Sequence, residues 1–232
     1  DDLARKTRPA FISMGSMSDP YNPFEEELEL TRHALELIDA YGCGVAAATK
    51  SDLIVRDIDL YQFIQRHSPV ICKLTVTTTD DALAAKIEPG APSPSRRLAA
   101  LKELAGAGIF SGVLLMPVLP WLEDSVENVL SVAEAAAEAG ARFVYPAFGV
   151  TMRDGQREHF LNGLDRAFPE QGLGEKYRQR YGNRYTCSSP RAGKLWERFS
   201  KRCGELGLLC EMRSIISAAT RGYQDRQLTF FD

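Results

Sequence analysis

The sequence predicts an α/β protein built on a parallel sheet covered by helices. Three observations carry that expectation. Short apolar runs alternate with stretches of helical periodicity over the first 150 residues. The links between them are short, as in repeated strand–helix units. The composition, 44% hydrophobic and 25% charged over 232 residues, suits a globular chain able to bury such a sheet.

Each element has its own signal. "AFISM" (10–14) predicts a strand, followed by one helix in "PFEEELELTRHALELIDAYG", where Leu28, Leu35 and Ile38 lie broadly on one stripe and Gly42 stands just past the end. "GVAAAT" (44–49) predicts the second strand and "RDIDLYQFIQRH" its helix, with Asp57 and Asp59 as acids favourable at a helix start. "VICKLTV" (70–76) precedes "TDDALAAKI", where Thr79 is the expected N-cap. After the Pro-rich "EPGAPSPS" comes a further helix in "RRLAALKELAGAG". "GVLLMPV" (112–118) leads into a helix in "EDSVENVLSVAEAAAEAG", and "RFVYPAF" (142–148) is the fifth apolar run. Beyond residue 150 the pattern is helical without strands, rich in Arg, Tyr and Phe, so we divide the chain into 1–150 and a helical extension, 151–232. That extension reads as a solvated cap, or as a basic face for an acidic partner or nucleic acid.

Composition excludes several classes. A net charge of −3 leaves no global nucleic-acid footprint. No apolar run approaches the roughly 20 residues of a membrane helix, and the charged opening "DDLARKTRPA" is not a signal peptide, so a cytoplasmic protein without membrane contact is expected. The five cysteines form no C-x-x-C pair. Cys43 and Cys72 read as small buried hydrophobes at the starts of apolar runs, and the spacing of Cys203 and Cys210 names no metal. His33, His67 and His159 lack H-x-x-x-H spacing, and no G-x-S-x-G elbow, Walker loop or dinucleotide fingerprint is present.

In parallel α/β folds the C-terminal strand ends face the ligand. That rule gathers "GSMSDP" (15–20), "TKSD" (49–52), "TTTD" (77–80), "MPVLP" (116–120) and "PAFG" (146–149) at one mouth. Gly15 and Ser16 offer close backbone approach, and Lys50 either reaches solvent or holds a carboxylate or phosphate. Thr77 and Thr79 alternate, so both hydroxyls are expected on one side. Five strands do not close a barrel comfortably; a further strand before the first would help.

The stretches "GSMSDPYNPFEEELELTRHALELI", "TKSDLIVRDIDL", "TVTTTDDALAAKIEPGAPSPSRRLAALKELAGAGI" and "GVLLMPVLPWLEDSVENV" resemble radical SAM proteins related to spore photoproduct lyase, over about residues 10 to 232. The resemblance implies a partial (βα)6 TIM-like barrel, here strands two to six, that binds S-adenosylmethionine across the strand ends beside a 4Fe–4S cluster. It implies that Lys50 meets the ligand's carboxylate, that Gly15, Ser16, Ser18 and Asp19 face its amino group, that Thr77 or Thr79 contributes a hydroxyl, and that Met116, Pro117 and Val118 present backbone to adenine. Glu88 in "IEPG" also matches, either holding its loop or approaching the ligand. The implied activity is reductive cleavage of S-adenosylmethionine to a 5′-deoxyadenosyl radical, with an electron donor such as flavodoxin or ferredoxin and, by analogy, a DNA substrate.

One departure is serious. No Cys-x-x-x-Cys-x-x-Cys loop exists in the 232 residues, and the chain starts on Asp1 rather than Met. We therefore expect an N-terminally shortened relative lacking the first βα unit and inactive as this fragment, the alternative being a non-catalytic α/β binding domain that has lost its cluster. In the tail, Gln227, Leu228, Phe230 and Phe231 resemble peptides that dock on the bacterial sliding clamp; the bland reading is that they pack back on their own domain.

Overall fold

A computed structural model of the chain describes residues 11–153 and 155–223. Five strands, β1 (Phe11–Met14), β2 (Gly44–Thr49), β3 (Val70–Thr75), β4 (Ser111–Leu115) and β5 (Phe143–Pro146), form one parallel sheet in the order β1-β2-β3-β4-β5. Each run of β-branched and small residues pairs with the next in sequence, and the order never reverses. Leu209 extends the far edge through a parallel bridge to Phe143.

Five helices pack on one face. α2 (Leu30–Ala40), α3 (Ile58–Gln65), α5 (Pro94–Gly106), α6 (Val126–Glu138) and α9 (Ala192–Leu206) bury Leu35, Ile64, Leu101, Leu104, Val132 and Phe199 against Val45, Cys72, Leu74, Val113 and Val144. The sequential strand order sets this sheet apart from a doubly wound one, in which the order reverses. The opposite, concave face carries Ala46, Ile71, Phe143 and Tyr145, closed below by Ile215 and Ala219 of α10 (Met212–Thr220).

Several local expectations change. The single helix after β1 is two, α1 (Glu25–Leu28) and α2, broken at Glu29 in the left-handed region at φ 49°. The break lets the buried Glu25 carboxylate receive the Thr31 N–H, and it leaves Leu28 exposed rather than on the core stripe. A 3₁₀ turn over Asp52–Asp57 precedes α3, so Asp57 and Asp59 serve ion pairs more than a helix dipole. Asp80, not Thr79, caps α4 (Asp81–Ile87), accepting the N–H groups of Ala82 and Leu83. Helix α6 starts after Ser125, which accepts the Asn128 N–H, so Glu123 and Asp124 precede the helix and are buried.

Beyond residue 148 the chain is not strand-free. β6 (Gly149–Thr151) and β7 (Thr186–Ser188) pair antiparallel, too short to show a periodicity. With α7 (Arg157–Ala167) and α8 (Leu173–Tyr181) they enclose a second core around Leu161, Leu173 and Tyr177, into which Trp121 packs. Ser189 donates to Asp124 at 2.6 Å and ties this unit to the loop after β4. The tail residues Gln227, Leu228, Phe230 and Phe231 lie outside the described residues. No helix among the described residues is long and apolar enough to cross a membrane.

Candidate functional site

The C-terminal ends of the strands open into a cleft of about 610 Å³. Gly15, Ser16, Ser18 and Asp19 after β1, Lys50 after β2, and Met116 and Pro117 after β4 line it. Thr75, Leu114, Ala147 and the strand Gly149–Thr151 complete the walls. Thr77, Thr79 and Val118 are not among its lining. β3 ends at Thr75, so the alternation that would have put Thr77 and Thr79 on one side stops before them. The Thr77 side chain is buried, and its carbonyl accepts from Asn128, while Thr79 is exposed and bonds Ser131. Val118 is fully buried and its N–H donates to the Ala147 carbonyl. The strand hydroxyl at the mouth is that of Thr75, two residues earlier than Thr77.

Gly15 holds the first wall. Its φ is 89°, and a Cβ there would stand 2.1 Å from the Ala48 carbonyl oxygen, so only glycine lets the end of β1 lie this close to β2. The chain then returns through Asp19, whose carboxylate accepts the Thr49 hydroxyl at 2.5 Å, the Lys50 N–H at 2.8 Å and the Tyr21 N–H at 2.9 Å. Asp19 is thereby a clamp on the end of β2 and orients the residue after it.

That residue, Lys50, pairs with Glu88 at 2.6 Å. Glu88 is also held by Arg97 at 2.7 Å, and the Arg97 side chain, only 1% exposed, donates further to the Thr75 and Pro92 carbonyls. Burial pushes the Glu88 carboxyl up, but Lys50 and Arg97 outweigh it and hold it below the usual carboxylate range. Glu88 thus both anchors its loop and touches the cation at the mouth. Behind this pair lies Glu123, 1% exposed, with one oxygen accepting the Leu119 N–H at 2.9 Å. Burial raises its carboxyl to about 7, against the opposing hydrogen bonds of Thr77 and Leu119. Arg97 and Glu123 were invisible to sequence reasoning, because "PSRR" and "LED" look like solvated helix ends.

A second cavity of about 510 Å³ lies on the outer side of Lys50 and Asp19, between the loops after β1 and β2 and the loop before α5. Lys50 and Asp19 are therefore the partition between two hollows.

The cysteines offer no cluster site. Cys43, Cys72, Cys187 and Cys203 are buried, and burial raises the thiols of Cys72, Cys187 and Cys203, the last to about 12. Among the described residues no group of three His, Cys, Asp or Glu side chains is placed to hold a metal ion.

No protein-family model matches the chain. An uncharacterized protein of Mycobacterium tuberculosis is 32% identical over 170 residues, covering 73% of this chain and 49% of the relative. An uncharacterized protein of Methanocaldococcus jannaschii is 38% identical over 119 residues, 51% of this chain and 44% of its own length. The chain thus spans about half the length of the curated relatives it matches. Among solved structures, the fold is that of spore photoproduct lyase: one variant superposes with a TM-score of 0.62 at 16% identity, over 89% of this chain and 62% of the lyase. Another lyase structure, with bound AdoMet and dinucleoside spore photoproduct, superposes at 0.60 with the same coverage.

Proposed function

We propose that this chain is the S-adenosylmethionine-binding part of a radical SAM enzyme of the spore photoproduct lyase type, a partial (βα)6 barrel. The observation that carries the reading is Lys50, whose backbone N–H is held by Asp19 while its ammonium stands at the mouth of the cleft. A lysine there is a point charge for the ligand's carboxylate. Gly15 and Ser16 offer backbone to its amino group, and Met116, Pro117 and Ala147 form a wall for the adenine. The superposable lyase with bound AdoMet supports the same placement at the level of the fold.

S-adenosylmethionine, when reductively cleaved, supplies an adenosyl radical that abstracts hydrogen from a substrate. The described residues do not fit the 4Fe–4S cluster that feeds such a cleavage: four cysteines are buried apart, and no three metal-binding side chains converge. In this reading the cluster, and a donor such as flavodoxin or ferredoxin, would be supplied by protein other than the described residues. A DNA lesion is the substrate suggested by analogy with the lyase, and a sliding-clamp contact through Gln227, Leu228, Phe230 and Phe231 remains an independent proposal.

The test is titration of the 232-residue chain with S-adenosylmethionine by calorimetry. Saturable binding that weakens by roughly 1.5–3 kcal/mol in Lys50→Ala supports the reading. Equal affinity in the variant removes Lys50 from the site. No binding at millimolar ligand favours the alternative, a non-catalytic α/β binding domain that has lost its cluster.

A further inference from the structure

Lys73 is the one charged residue in the five strands of the parallel sheet. Its neighbours Cys72 and Leu74 join the core under the helices, while Ile71 joins the cluster beneath α10. Alternation therefore puts Lys73 on the concave face with Ile71 and Thr75. Across the sheet its register partners are Ala48 and Gly112, neither of which extends beyond a Cβ. Gly112 is small by necessity, because a Cβ there would meet the Phe143 ring at 2.6 Å. One pleat above stand Thr75, Leu114 and Tyr145, in register with one another, and Ala48, Thr75 and Leu114 are walls of the cleft.

By register the lysine stands between two small residues, one pleat inward of the cleft walls Thr75 and Leu114. Its ammonium has no ion pair or hydrogen bond among the described residues. Burial lowers its pKa, and no carboxylate is near enough to oppose that. An ammonium partly withdrawn from water without a counter-ion is costly for the fold, and a ligand anion would repay that cost.

We propose that Lys73 anchors an anionic group, phosphate or carboxylate, of a substrate that enters the concave face through the cleft. The four-carbon stem lets a point charge follow such a group, and the Thr75 and Tyr145 hydroxyls on the same face supply neutral hydrogen bonds beside it. The proposal rests on the preceding reading only in taking the cleft as the shared entrance for cofactor and substrate.

Reductive ¹³C-methylation of the 232-residue chain makes each lysine visible by NMR, with the Lys73 signal identified by its loss in Lys73→Met. Pyrophosphate and, separately, citrate are then titrated. A saturable shift of the Lys73 signal at concentrations that leave the exposed Lys102 and Lys194 unmoved is the expected result. The anion that produces it identifies the class. No shift with either anion, or equal shifts at all lysines, overturns the proposal. Removal of an unpaired, partly buried charge should leave Lys73→Met folded; if it does not fold, Lys73→Arg supplies the assignment. S-adenosylmethionine in the same sample reads Lys50 independently. A response at Lys50 alone would sink the Lys73 anchor and keep the cofactor site, and a response at Lys73 to anions alone would do the reverse.

Discussion

The Lys50 ammonium and the Glu88 carboxylate meet at 2.6 Å, yet they are held with unequal firmness. Glu88 keeps Arg97 whether or not Lys50 is present, whereas Lys50, 39% exposed, has Glu88 as its one ion-pair partner among the described residues. Lys50 is the movable member, and an incoming carboxylate competes only for it. Lys50→Met should therefore change stability by about 1 kcal/mol or less, because the pair is half in water. Glu88→Gln leaves the buried Arg97 without its carboxylate and should cost about 3 kcal/mol. Urea denaturation of both variants checks the asymmetry; equal losses would contradict it.

Glu123 makes stability depend on pH. Its folded carboxyl, raised by burial to about 7, binds a proton that the unfolded chain releases near 4.5. Its contribution is complete below pH 4.5 and is lost as pH rises through 7, so stability falls across that window, by at most roughly 3 kcal/mol. Glu123→Gln, which still accepts the Leu119 N–H, should flatten the profile and exceed the parent in stability at pH 8. A wild-type profile in the variant would place the titration elsewhere.

Gly15→Ala tests the close approach of β1 to β2. The substitution meets both a φ of 89° and the Ala48 carbonyl, so the end of β1 must move. A stability loss of about 1–3 kcal/mol is expected, with weaker S-adenosylmethionine binding than that loss alone explains. Retention of full affinity would free Gly15 from the cleft wall.

Asp57 separates buried from exposed ion pairs on one arginine. Fully buried, it accepts from Arg32 at 2.9 Å, from Arg56 at 2.8 Å and from the Tyr21 hydroxyl at 3.1 Å, while Asp59, 49% exposed, pairs with Arg32 alone among the described residues. Asp57→Asn should cost about 3 kcal/mol and Asp59→Asn under about 1. Thermal melts of the two variants compare them directly.

By itself the sequence determined the number and parallel type of the strands in the larger sheet. It could do so because those properties are local: apolar runs of five or six residues bounded by Gly, Pro and polar turns have one buried arrangement. Lys50 and Gly15 were legible for the same reason, each standing directly after a strand. What only tertiary structure decided is how the polar groups pair and where elements end. Arg97 and Glu123 are buried because partners from distant segments, the Thr75 carbonyl, Glu88 and the Leu119 N–H, meet them. Thr77 and Thr79 leave the mouth because β3 stops at Thr75, a boundary set by pairing with β4. The break at Glu29 and the β6–β7 pair also depend on contacts remote in sequence. Lys73 is the sharpest case: a lysine inside an apolar run reads as an ordinary strand residue. Only the pleat, the register with Ala48 and Gly112, and the helices on the other face turn it inward without a counter-ion.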